Sequence, residues 1–393
     1  MSDVHGWTTK GFEGVRDAFA KNFADGQEIG AAFSAYHRGE KVVDLWGGVA
    51  DATTGRPWEE DTIILVFSTT KGMTAVCANK LAQEGALDVD APVAEYWPEF
   101  GCNGKERVPV SYLLSHQVGL AWVEGAMTLE VALAWDPVCT ALAEQKPSWE
   151  PGSQHGYHAV TYGWLVGEVI RRVSGRRIGT YLHEEVAEPL GLDLWIGLPE
   201  EQEPRVAMLV GWGAGGGAGA AGEAEVDEAT RAMIEEFMGP NSMLGKALTA
   251  GGAFTDGVWN DRAVRAAEVP AANGVADARS VARMYAACVG EVDGVRLLMP
   301  EQLKRATTQL TSGPNTILLG LDIQFGLGFM VPSSIMTLGG PNSFGHFGAG
   351  GSMGWADPDA ELAFGYVMNK MAMGLAGDMR TQNLVQACYA ALG

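Results

Sequence analysis

Apolar residues recur along the chain at two spacings, and these predict its elements. Between positions 11 and 24, Phe12, Val15, Phe19 and Phe23 fall at helical intervals, so an amphipathic helix opens the chain. Apolar runs at 29–36 and 42–46 follow, split by His37-Arg38-Gly39-Glu40, which predicts a β-hairpin. A short apolar run at 63–67 ends directly on Ser68. From there to about Glu84 the chain is rich in Ala, Lys, Leu and Met, and Gly85 stands where a C-cap belongs. That predicts a helix opened by Ser68. Residues 108–114, 129–143 and 160–173 predict further helices, and 280–288 a short one. A Gly/Ala stretch at 211–222 precedes an acidic helix over 223–238. The end changes character. Strands are expected at 344–347, 352–356 and 362–369, with Gly and Asp-Pro turns between them and a last helix at 377–391.

Strands at both ends with helices between them predict an α+β protein. The terminal segments pair in one antiparallel sheet, and a helical part is inserted. We expect residues 1–95 and 250–393 to form an α/β domain, 96–249 a mainly helical one, and a cleft to run along the seam.

Charge and cysteine content narrow the function. The net charge is -21, so phosphate would be repelled, which argues against nucleic acid and anionic membranes as partners. Five widely spaced cysteines without a C-x-x-C motif predict reduced thiols rather than a disulfide framework or zinc ribbon. The first residues lack a basic and an apolar signal region, and no uncharged apolar run reaches ~18 residues, so a cytoplasmic chain is expected. The 53 glycines are about twice the usual ~7% share, which predicts many turns and close backbone approaches.

Three local features carry candidate chemistry. Phe67-Ser68-Thr69-Thr70-Lys71 holds the only Ser-x-x-Lys of the chain, at a strand-to-helix junction. That spacing sets Ser68 and Lys71 on one helix face, where a neutral amine can act as base for a hydroxyl nucleophile. Tyr157, in Gly156-Tyr157-His158-Ala159 before a predicted helix, can shuttle a proton if a nearby Lys lowers its pKa. Gly345-His346-Phe347-Gly348-Ala349-Gly350-Gly351 offers a Gly-rich strand edge, where a substrate carbonyl can approach backbone N–H groups.

Together these resemble the serine β-lactamase and penicillin-binding-protein superfamily, and most closely its esterase branch, the family VIII carboxylesterases. The resemblance spans nearly the whole chain. It includes Leu113-Leu114-Ser115-His116-Gln117-Val118-Gly119-Leu120, Leu198-Pro199-Glu200-Glu201 and Gly350-Gly351-Ser352-Met353-Gly354-Trp355-Ala356-Asp357-Pro358. It implies a β-lactamase-like fold, with an antiparallel sheet flanked by helices, a helical domain, and the active site between them. It further implies Ser68 as acylated nucleophile, Lys71 as the partner lowering its proton affinity, and Tyr157 as general base or proton relay. The N–H groups of Ser68 and Ala349 would form the oxyanion hole, and His346, Phe347 and Gly348 would stand where β-lactamases have Lys-Thr-Gly. Two departures favour neutral esters over β-lactams: Tyr157-His158-Ala159 lacks the Asn of Tyr-x-Asn, and His346 replaces a Lys. A neutral His346 is expected to offer substrate one N–H donor.

Other patterns are weaker. Gly350-Gly351-Ser352-Met353-Gly354 matches the nucleophile elbow Gly-x-Ser-x-Gly, but no His follows Ser352 and a strand is expected after it. Gly217-Ala218-Gly219-Ala220-Ala221-Gly222 matches a dinucleotide loop, but acidic residues follow where a pyrophosphate would bind. No zinc-peptidase His/Glu spacing occurs, so neither metal nor cofactor is expected. Trp122, Trp135 and Trp149 are expected to line an apolar acyl or alcohol pocket. The expectation is a serine carboxylesterase acting on a small-molecule, short-chain acyl ester, with a homo-oligomer allowed. The alternatives are an acyltransferase, an amide or D-peptide hydrolase, a weak β-lactamase, or a non-catalytic binding module.

Overall fold

A computed structural model describes residues 4–125, 127–211, 236, 239–255, 257–372 and 378–393. The Gly/Ala stretch from 212, the dinucleotide-loop match and, but for Glu236, the expected acidic helix lie outside the described residues.

Strands from both ends of the chain build one nine-stranded sheet. Its order is Val4–Thr8, Glu40–Asp51, Gly30–His37, Leu362–Met368, Met353–Asp357, Phe344–Phe347, Met330–Val331 and Gln324–Phe325, with Arg56–Pro57 beside Glu40–Asp51. Every pairing in it is antiparallel. The expected hairpin turns at Arg38-Gly39, where both residues have positive φ. The early and late strands meet where Phe33 pairs with Tyr366. The expected α+β architecture, with one antiparallel sheet built from both ends of the chain, is therefore met.

Helices cover both faces of the sheet because its strands are buried on both sides. The period of two decides which residue meets which helix. Along Met353–Asp357, Gly354 faces Val281 and Tyr285 of the helix Ala278–Val289. Asp357, on the alternate face, accepts a 2.6 Å hydrogen bond from Tyr389 of the C-terminal helix Met379–Ala390. The opening helix Glu13–Ala24 buries Val15 and Phe19 and packs against that C-terminal helix.

A second, three-stranded sheet places Val275–Ala276 between Ile64–Leu65 and Leu194–Trp195. Of its strands, the apolar run at 63–67 signalled only Ile64–Leu65. The sheet holds the segment before Ser68 against the chain just past Ala271. The helix Thr70–Gln83 that follows is buried through almost its whole length, as a helix enclosed by other elements must be.

One predicted helix is broken. Residues 129–143 form two short helices, Leu129–Leu133 and Asp136–Glu144, joined at Trp135 with φ +66°. Pro137 supplies the reason: its ring is tolerated in the first turn of a helix and clashes inside one.

Candidate active site

Ser68 lies in a single tight turn, Phe67–Thr69, which runs directly into the helix Thr70–Gln83. The expected N-cap role falls elsewhere, since Val66 stands at the N-cap of the turn and Thr69 at that of the helix. Thr70 fixes the turn instead. Its hydroxyl donates to the Phe67 carbonyl and accepts from Gly274 N–H at 2.8 Å. Phe67 adopts φ +45°, a costly conformation for an aromatic residue. Its ring packs edge-on against Trp259 at 5.2 Å, and Trp259 stacks on Phe254 at 4.9 Å. The turn is thus held from two sides while the Ser68 hydroxyl stays uncommitted to the backbone.

Lys71, fully buried, comes within 3.1 Å of Ser68 Oγ. Its Nζ also donates to the carbonyls of Ala159 at 2.6 Å and Ala271 at 3.0 Å. Burial pushes its pKa well below the usual lysine range. A neutral amine has two N–H groups and one lone pair. Two carbonyls satisfy the N–H groups, and the lone pair is left for the Ser68 proton.

Tyr157 reaches Ser68 from the other side by a hydrogen bond between the two side chains. Its backbone N–H donates to Asn315 Oδ1 at 3.1 Å. Its ring stacks between Phe325 (6.0 Å) and His346 (6.1 Å), and Lys71 Nζ sits 4.7 Å from its centroid. The expected lowering of its pKa by a lysine is not found. Burial raises it, the Ser68 hydrogen bond opposes only in part, and Lys71 is itself driven towards neutrality. Tyr157 is therefore a phenol at rest, suited to donate a proton rather than take one.

The Gly-rich edge forms a tight turn in which Gly348 N–H donates to Ser352 O (2.8 Å) and Gly351 N–H to Gly348 O (3.2 Å). Among the described residues, the N–H groups of Ser68 and Ala349 have no partner within the chain. A Cβ on Gly348 would meet Ser352 Oγ at 2.1 Å and Val66 O at 2.3 Å, so only glycine fits this crossing. Ser352 is buried there. Its Oγ donates to Val66 O at 2.7 Å, sits 3.0 Å from Thr69 Oγ1, and is followed by a strand. A nucleophile elbow needs an exposed Ser followed by a helix, so that reading falls.

Four substrate-contact expectations change. His346 is fully buried and its Nδ1–H donates to the Phe347 carbonyl at 2.7 Å. Its Nε2 is thus a lone pair without a partner among the described residues, not the N–H donor expected. Burial brings its pKa down to about 3. The Phe347 side chain alternates to the far face of the sheet and packs on Trp355 at 5.4 Å. Trp135 donates from Nε1 to buried Glu168 (2.9 Å) and fills core beside Gly167. Trp122 is buried with its Nε1 on Glu124 at 2.7 Å. Of the three tryptophans, Trp149 alone adjoins the Tyr157 segment, edge-on to His158 at 5.9 Å and against Gly156.

Several residues of the site carried no signal of their own. Asn315, Phe325 and Trp259 lie far from Ser68 in sequence, and the Ala159 and Ala271 carbonyls belong to ordinary alanines. Only topology brings them together.

The Beta-lactamase family model matches residues 15–388. The chain is 37% identical to "Esterase/beta-lactamase LipL" of Mycobacterium tuberculosis over 94% of its own length and 83% of the relative. Among solved structures, it resembles a family VIII carboxylesterase with TM-score 0.87 and 38% identity, covering 99% of this chain and all of that one. A penicillin-binding-protein homologue from Caulobacter crescentus resembles it with TM-score 0.85 and 38% identity, again over 99% of this chain and 100% of that one. With the family model matching nearly its whole length and a relative 37% identical over most of both chains, this chain belongs to the Beta-lactamase family, as a serine hydrolase of β-lactamase fold.

Proposed function

We propose that the protein is a carboxylesterase that cleaves short-chain acyl esters through a Ser68 acyl-enzyme. The carrying observation is Lys71, buried and bonded to two carbonyls, with its remaining valence towards Ser68 Oγ. In this reading the Lys71 amine takes the Ser68 proton as Oγ attacks the ester carbonyl carbon. The carbonyl oxygen becomes an oxyanion facing the free N–H groups of Ser68 and Ala349. Collapse breaks the C–O bond to the alcohol, whose oxygen takes a proton from the Tyr157 phenol. Tyr157 regains one from protonated Lys71, by way of the vacated hydrogen-bond path at Ser68. Water then attacks the acyl carbon, gives its proton to Lys71, and the Ser68–acyl bond breaks with return of that proton to Ser68.

His346 supports an ester over a β-lactam. Buried and neutral, it supplies no positive charge of the kind that would hold a β-lactam carboxylate, and a neutral ester needs none. Wild type should hydrolyse p-nitrophenyl butyrate orders of magnitude faster than nitrocefin. Ser68→Ala should lose about 10³-fold or more in kcat, and all labelling by a serine-reactive phosphonate, with the fold intact. Labelling that persists in Ser68→Ala would refute the nucleophile. Equal wild-type rates on the two substrates would replace the esterase by a β-lactamase.

A further inference from the structure

Behind the Gly348–Gly351 turn, on the side away from Ser68, lies an ionic cluster that the chemistry above does not use. Arg380 is 3% exposed, and its guanidinium is fully occupied. Nη2 donates to the Gly350 carbonyl at 2.6 Å and to Asp378; Nη1 donates to Glu28 at 3.1 Å and to the Lys370 carbonyl at 2.9 Å. Nε donates to Asp378 at 3.0 Å. Buried Tyr366 donates its hydroxyl to the other Glu28 oxygen. No donor is left for a ligand, so this arginine holds protein, not substrate.

What it holds is the turn that presents Ala349 N–H. The Gly350 carbonyl accepts from both Arg380 and Ala372 N–H, the latter at 3.0 Å, so the peptide after Gly350 is clamped. Gly351, at φ +123°, lies so close that a Cβ would meet Asp378 at 2.5 Å and Arg380 at 2.6 Å. Buried ion clusters of this kind add little net stability over apolar packing, so fixed geometry is their best-founded use. An N–H aimed at a developing oxyanion loses much of its worth when displaced by ~1 Å.

We propose that Arg380, buttressed by Glu28, Asp378 and Tyr366, is a positioning residue that sets the Ala349 half of the oxyanion hole. The inference rests on the Ser68 esterase reading and deepens it.

The test uses the full-length protein and single-turnover acylation by p-nitrophenyl butyrate. Arg380→Met should lower the acylation rate by about 30–300-fold while KM stays within about threefold, since an oxyanion donor acts in the transition state. Arg380→Lys, which keeps a charge near Gly350 O, should restore about tenfold of that loss. An unchanged Arg380→Met acylation rate, or a change confined to KM, overturns the proposal. If Arg380→Met does not fold, Glu28→Gln decides: about a fivefold or larger fall in rate at constant KM supports the proposal, and an unchanged rate overturns it. Wild type that hydrolyses no ester at Ser68 overturns the esterase reading and this inference together. Wild type that does so beside fully active, folded Arg380 variants overturns this inference alone.

Discussion

Two serines illustrate how burial assigns roles. Both sit beside the same backbone, at Val66 to Thr69, yet Ser352 is committed to Val66 O and Thr69 while Ser68 is turned towards Lys71 and Tyr157. Ser352 is therefore a clasp between the last strands and the turn that carries Ser68. Ser352→Ala should keep phosphonate labelling at Ser68 and most of kcat. It should cost about 1 kcal/mol of stability, the usual worth of one buried hydrogen bond. Urea unfolding and active-site labelling of the variant read both quantities. A kcat loss near 10³-fold in a folded Ser352→Ala would restore Ser352 as a candidate nucleophile.

At the scale of elements, the helix Thr161–Ser174 is tied to its neighbours by one buried carboxylate. Glu168 accepts from Arg171 and Arg172 on its own helix, and from Trp135 where the two short helices meet. Arg171 also reaches Asp136 at 3.0 Å, across the same junction. The Pro137 break is thus used: it turns the chain so that the Trp135 indole points inward. Trp135→Phe keeps most of the ring volume and removes one donor to Glu168. We expect a loss of about 1–2 kcal/mol in stability, with kcat and KM for a butyrate ester within about threefold of wild type. A selective rise in KM, with stability unchanged, would return Trp135 to the substrate pocket.

For the molecule as a whole, the stakes of burial show in pH. His116, His158 and His346 are fully buried around the site, and desolvation lowers all three pKa values, those of His158 and His346 to about 3. In the unfolded chain they titrate near 6.5. Between pH 6.5 and 3 the unfolded state therefore binds up to about two protons at His158 and His346 that the folded state refuses, His116 acts in the same direction, and stability falls as pH falls. Glu28 runs the other way. Burial raises it to about 7, so below that pH the folded state holds one proton that the unfolded chain releases down to about 4.5. Set against the two histidines at about 3, this leaves a net of about one proton between pH 4.5 and 6.5, or about 1.4 kcal/mol of stability lost per unit of acidification, to which His116 adds in the same direction. Urea midpoints measured from pH 7 to 4.5 should show that slope. Stability that does not fall on acidification over that range would mean that the histidines are not held neutral in the fold.

The sequence by itself determined the terminal hairpin, the late strands, most helices and the order of the motifs, because period-two and helical patterns are local properties of a chain. It also placed Ser68 and Lys71 on one turn, since three residues span less than one helical turn. The state of those residues was decided by the tertiary structure alone. The pKa of Lys71 falls well below the usual lysine range because the surrounding fold excludes water from it, and that same exclusion leaves Tyr157 a phenol. His346 shows the same limit: its composition promised a donor, but a carbonyl one residue away took the proton. Asn315, Trp259 and Arg380 joined the site across separations that no local pattern encodes, through sheet pairings that converge only in the folded chain.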